Sequence, residues 1–153
     1  MTVPSQARAV IIGGGVVGCS IAYHLGKLGW RDVVLLERKQ LTCGTTWHAA
    51  GLIAQLRATQ NMTRLAKYSQ ELYFGLEAET GVATGFKRNG SITVALSDER
   101  MEELRRSAAM ARAFGVEIDE ISPTDIAARY PGLSIADVVG GVWLPKDGQA
   151  DPV

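Results

Sequence analysis

Gly13, Gly15 and Gly18, with the acid Glu37 about 20 residues beyond the last of them, have the spacing that receives a dinucleotide. Gly13 permits a tight turn, Gly15 lets the backbone approach a pyrophosphate, and Gly18 lets a helix lie close on a sheet. Gly14 adds another small residue to the turn, and Val16 and Val17 open the helix whose N-terminal N–H groups and partial positive charge face the phosphates. An acid at the position of Glu37 accepts hydrogen bonds from ribose hydroxyls and repels a 2′-phosphate, which favours FAD or NAD over NADP. Arg38 could stack on the adenine or stay solvated. The glycine pattern alone is a weak signal, and its weight comes from the elements around it.

Those elements are legible. Residues 9–12 are a short β-branched run ending in glycines, the pattern of a buried parallel strand. Residues 16–28 place Val17, Ile21, Leu25 and Leu28 at helical spacing, with Gly29 as a stop. Residues 32–37 form a second buried strand, which completes a βαβ unit of right-handed crossover. Residues 38–60 have no clean period and read as a structured loop. Helices are predicted over 61–79 and from the N-cap Ser97 to about Phe114, with Asp98 and Glu99 at the positive end of the second. Ser122, Pro123, Thr124 and Asp125 carry the cap, the N1 proline and the acidic N3 of another helix start. Strands are predicted at 91–96, 116–121 and 138–144. A doubly wound sheet needs more βα units than one, so the chain is expected to be the N-terminal piece of a longer protein, with the rest beyond Val153.

Composition excludes several classes. The 153 residues are 46% hydrophobic and 21% charged, with 16 Lys+Arg against 16 Asp+Glu. That balance argues against disorder and removes any bulk electrostatic case for nucleic acid or an anionic membrane. No apolar run approaches the roughly 20 residues of a membrane-spanning helix. Cys19 and Cys43 form no C-x-x-C pair, and His24 and His48 are too few for a cluster, so no metal site is expected. The N-terminal residues have no signal-peptide core, and the expected location is cytoplasmic.

The loop after Glu37 decides between dinucleotides. Thr42, Cys43, Gly44, Thr45, Thr46, Trp47, His48, Ala49, Ala50, Gly51 and Leu52 are small or hydroxylated enough, for the most part, to let backbone pass close to a flat ring and a pyrophosphate. Alone, His48 is a weak sign, because a single loop histidine more often packs or is solvated. Trp47 reads equally as a packing anchor or a cofactor contact. Cys43 reads as a small apolar residue, His24 as a helix residue without a role, and Arg57, Arg64 and Lys67 as solvated charges.

At this point the segments IIGGGVVGCSIAYHLGKLGW, VVLLER and GTTWHAAGL resemble the N-terminal flavin module of the D-amino-acid-oxidase-type superfamily. Within it the sequence is similar to the sarcosine and dimethylglycine dehydrogenase group, and the likeness continues through GFKRNGSITVALSDERMEELRR, ISPTDIAARYPGL and DGQADP. The resemblance implies an α/β fold: the N-terminal part of a Rossmann-like FAD-binding domain in residues 1–60, then helices and strands beginning a mixed-sheet substrate domain in 61–153. It implies FAD covalently attached through its 8α carbon to His48, with Thr45 and Thr46 on the pyrophosphate or ribityl chain and the backbone of Ala49, Ala50, Gly51 and Leu52 against the isoalloxazine. Imidazole is suited to that bond, since its nucleophilic neutral form is available around pH 7.

The implied reaction is oxidation of a small N-methylated amino acid, sarcosine or dimethylglycine, at its C–N bond. The iminium that results hydrolyses or passes its one-carbon unit to tetrahydrofolate, which requires a C-terminal folate-binding region. Oxygen or an electron-transfer flavoprotein would take the electrons. No catalytic acid or base is assigned, because the family's substrate residues lie mostly on a later sheet, and the carboxylates at 71–79 and 98–103 read as solvated. A non-covalent FAD amino-acid oxidase and a non-catalytic flavin-fold regulatory subunit are the alternatives.

Overall fold

The computed structural model describes residues 4–152, so Met1, Thr2, Val3 and Val153, at the outer ends of the two expected regions, lie outside the described residues. The chain forms two compact units that divide between Ala50 and Gly51. The first is the βαβ unit. Strand β1 (Ala9–Ile12) pairs in parallel with β2 (Val33–Leu36), and α1 (Val16–Lys27) connects them. Ile11 is buried against α1, while Val10 and Ile12 on the other face of the strand are exposed, as are Val17 and Ile21 of the helix and Leu28 just after it. A three-residue 3-10 turn, Thr46–His48, lies in the loop after β2.

The second unit spans Gly51–Asp151. Strand β3 (Leu52–Ile53) is followed by α2 (Gln60–Thr80), β4 (Ser91–Ala95), α3 (Asp98–Ala113), β5 (Asp119–Ile121), α4 (Pro123–Arg129), β6 (Gly140–Leu144) and β7 (Gly148–Gln149). The three strands read from the sequence form one antiparallel sheet in the order β4-β6-β5. Its core is built from Ala95, Met101, Leu104, Ala108, Ala111, Val116, Ile118, Val142 and Leu144, so α3 buries one stripe on the sheet. Helix α3 begins where Ser97 accepts from the Arg100 N–H, and α4 begins in a reciprocal box between Ser122 and Asp125. The Ser122 hydroxyl and N–H hold the Asp125 carboxyl below its ordinary pKa.

The expected strand at 116–121 is shortened to its last residues. After α3 the N–H of Val116 turns back to Ala111 O through Gly115 at φ +68°, so the chain is still closing the helix there. The loop expected over 38–60 contains β3, which pairs antiparallel with β7. Short two-residue strands leave no periodic trace, and neither was foreseen.

Residues 51–57 join the second unit for a polar reason. Gly51 O accepts from the Ala150 N–H at 2.8 Å, and the Gln55 N–H donates to Asp147 Oδ1 at 2.9 Å. Asp147 is buried, and its Oδ2 accepts from the Ser91 hydroxyl at 2.6 Å. Buried Gln70 of α2 accepts from the Gln55 side chain and donates to Lys146 O, and buried Thr63 bonds both the N–H and the carbonyl of Arg57. Every member is satisfied, which is what makes such a network tolerable away from water. Asp147→Ala would strand the Gln55 N–H and the Ser91 hydroxyl without acceptors and should destabilise the fold by about 3 kcal/mol. Asp147→Asn keeps one acceptor oxygen and should cost clearly less, as read from denaturant midpoints.

Candidate functional site

The first unit is organised around the turn between β1 and α1. Gly13, at φ +104°, carries the turn and donates its N–H to Leu36 O at 2.8 Å, which continues the pairing of the two strands. A side chain at Gly18 would run into Gly13 O, so the close approach of helix and turn requires glycine there. One at Gly14 would meet Leu41 Cδ2 at 2.5 Å and Glu37 Cβ at 3.0 Å. The sequence reading places Gly14 among the cofactor-binding residues as an extra small residue, and these contacts add a steric reason for its small size.

Glu37 leaves the end of β2 and turns back over the glycines. Its Oε2 accepts from the Gly14 N–H at 2.8 Å and its Oε1 from the Lys39 N–H at 2.9 Å. These backbone donors, Gly14 first, hold the carboxyl below its ordinary pKa. A carboxylate has about four acceptor positions, so two remain for further donors such as ribose hydroxyls. Arg38 beside it is exposed.

Helix α1 presents an open N-terminus. Its N-cap, Gly15, offers no side-chain bond, and no acid lies in the first turn of the helix. The one hydroxyl at that end is Thr46 Oγ1, which accepts from the Val16 N–H at 3.0 Å and would touch a side chain at Gly15. Accepting that bond leaves the Thr46 O–H proton to donate to an anion. Thr45, just before it, is exposed at the start of the 3-10 turn. The turn's last residue is His48, exposed, with its ring against Trp47.

The structure therefore brings Gly13, Gly14, Gly15, Val16, Val17, Gly18, Glu37, Thr46 and His48 into one unit, with Arg38, Thr45, Ala49 and Ala50 on its exposed loop. Gly51 and Leu52 belong to the other unit, where Leu52 pairs with Gln149. Two supports were not foreseen. Thr42 holds φ +63°, rare for a residue with a side chain, and donates its N–H to Gly14 O at 2.8 Å; Leu41 packs beside the same glycine. Among the described residues no cluster could hold a metal ion and no helix is long and apolar enough to cross a membrane. Glu71, Glu77, Glu79, Asp98, Glu99, Glu102 and Glu103 are all exposed.

The family described as FAD dependent oxidoreductase matches residues 8–153. The chain belongs to that family. It is 41% identical over 96% of its length to the mitochondrial pyruvate dehydrogenase phosphatase regulatory subunit of Mus musculus. It is 42% identical over 97% of its length to the mitochondrial sarcosine dehydrogenase of Homo sapiens, and 43% over 96% to the mitochondrial dimethylglycine dehydrogenase of Rattus norvegicus. The chain spans only 16–17% of the length of these relatives. In structure it superimposes on the L-proline dehydrogenase of P. horikoshii with a TM-score of 0.90 at 32% identity, over 98% of this chain and 39% of that one.

FAD-dependent chemistry fits what the turn offers: glycines that exclude side chains, a helix N-terminus with no acid in its first turn for a pyrophosphate, and an ionised carboxylate for a ribose. Glu37→Gln should weaken the affinity of the initial non-covalent FAD complex about tenfold. The pH dependence has a definite sign. Glu37 is held below its ordinary pKa, so its contribution is complete above the usual carboxylate range and is lost as pH falls through the depressed value. FAD titrations should show affinity unchanged as pH falls through the usual carboxylate range and declining only below it.

Proposed function

We propose that this chain is the cofactor-binding front of an FAD-dependent dehydrogenase that oxidises the C–N bond of sarcosine, dimethylglycine or a similar small N-methylated amino acid, with FAD joined covalently to His48. The observation that carries it is the single 3-10 turn that delivers the Thr46 hydroxyl to the N-terminus of α1 and two residues later exposes the His48 imidazole. One short element thus offers a phosphate donor and a nucleophile. Similarity to sarcosine and dimethylglycine dehydrogenases supports the substrate class.

Bound FAD would supply the chemistry, taking two electrons from the substrate as a hydride equivalent. The chain's own residues bind and orient it. Glu37 would receive the ribose hydroxyls, with Arg38 beside the adenine; the N–H groups at Val17 and Gly18 would face the pyrophosphate, with Val16, whose N–H Thr46 accepts, beside them; Thr45 and Thr46 would donate to the phosphates or the ribityl chain. The backbone of Ala49 and Ala50 would lie against the ring system. Oxygen or an electron-transfer flavoprotein would take the electrons, and tetrahydrofolate would enter only with a C-terminal folate-binding region. The exposed apolar residues Val10 and Ile12 of β1 and Val17 and Ile21 of α1 fit a sheet and helix layer continued by later parts of a longer protein.

A second reading has its own support. The likeness to a regulatory subunit is as strong as that to the dehydrogenases, so a flavin-binding protein without turnover is the competing function. Anaerobic mixing of the full-length flavoprotein with sarcosine and with dimethylglycine separates the two. Bleaching of the oxidised flavin's visible absorption by either amine is the expected result. Bound flavin that small N-methylated amino acids leave unbleached would overturn the dehydrogenase reading in favour of the regulatory one.

A further inference from the structure

We propose that the buried carboxylate of Asp147 is a positioning residue for the flavin loop: it locks the register of the stretch into which that loop runs, and so limits where the loop can hold the cofactor ring. This rests on the flavin-binding role given to the loop above. At its near end the loop is tied to the glycine turn, where Thr46 Oγ1 accepts from the Val16 N–H. At its far end Gly51 O accepts from the Ala150 N–H, Leu52 and Ile53 pair with Gln149 and Gly148, and the Gln55 N–H donates to Asp147 Oδ1. Residues 47–50 therefore lie between two anchored points, and any movement of the far anchor passes to them along the chain.

The far anchor is weak without Asp147. Strand β3 is two residues long, and Leu52 within it is 64% exposed, so burial does little to choose its register on β7. A slip of one residue would carry Ala50 about 3.4 Å along the strand. That is large beside the misplacement of about 1 Å that can slow a reaction about 100-fold. The bond from Gln55 to Asp147 stands just past the short ladder, and a hydrogen bond holds its heavy atoms within about 2.7–3.2 Å and in line. Asp147 is a rigid base for it: its carbonyl accepts from the Gly90 N–H at 2.8 Å, and its Oδ2 from the hydroxyl of Ser91, the first residue of β4. The carboxylate thus ties residues 51–55 to the three-stranded sheet, and the bond to the Gln55 N–H is the one that sets their register.

The test uses the full-length flavoprotein and the visible circular dichroism of its bound flavin, which reports how the protein surrounds the ring whether or not the cofactor is tethered. Spectra are taken well below each variant's thermal midpoint. Asp147→Ala removes the acceptor, and Asp147→Glu moves it by one carbon–carbon bond; both should lose most of the flavin signal. Asp147→Asn can place its carbonyl on the Gln55 N–H and its amide on the Ser91 oxygen, and should keep the signal. Ser91→Ala weakens the same cluster but leaves the Gln55 bond, so it should lower the midpoint and keep the signal. A wild-type signal in whichever of Asp147→Ala and Asp147→Glu folds overturns this proposal alone, as does an equal loss in Ser91→Ala or Asp147→Asn. A wild type that carries no flavin overturns the flavin-binding role of the loop and this proposal with it.

Discussion

The bond from the Gly14 N–H to the Glu37 carboxylate is the contact on which the first unit depends. It ties the end of β2 to the turn after β1, so the two strands and the mouth of α1 are fixed together at the point where parallel strands deliver a ligand site. The contact is tight at position 14, where a side chain would displace the Leu41 methyl and crowd Glu37. The same glycine's carbonyl receives Thr42, whose left-handed backbone starts the loop that carries Trp47 and His48. A chain of backbone contacts therefore runs from one carboxylate to the loop histidine. Side-chain packing contributes little to it, and most of the loop's side chains are exposed.

That dependence explains why the first unit was legible in sequence. Glycine and an acid at fixed offsets are demanded by sterics and by one hydrogen-bond geometry, so residue type reports position directly. The strands at 9–12 and 32–37 and the helix from Val16 emerge close to their expected bounds. What residue types could not convey was which neighbour each glycine excludes, and so the supporting parts of Leu41 and Thr42 were missed. Helix ends with strong caps, at Ser97 and Ser122, were equally readable because the capping side chains act within one turn.

The second unit was readable in its apolar parts and opaque in its polar ones. Met101, Leu104, Ala108 and Ala111 follow the spacing of a helix that buries one stripe. Gln55, Gln70 and Asp147 are residue types that ordinarily face water, yet each is buried and matched to partners distant in sequence. Nothing local announces such a match. Thr63 and Gln70 did carry one signal: a separation of two helical turns puts them on the same side of α2. Local rules thus reveal the cofactor turn, whereas the anchoring of residues 51–57 comes from tertiary pairing.

His48 is the proposed point of covalent attachment between cofactor and chain. Intact-protein mass spectrometry of the acid-denatured full-length protein, beside a His48→Ala variant, addresses it directly. The expected result is a mass increase of one FAD in the wild type that is absent from the variant. Flavin released by acid from the wild type, with the polypeptide at its bare mass, would contradict it.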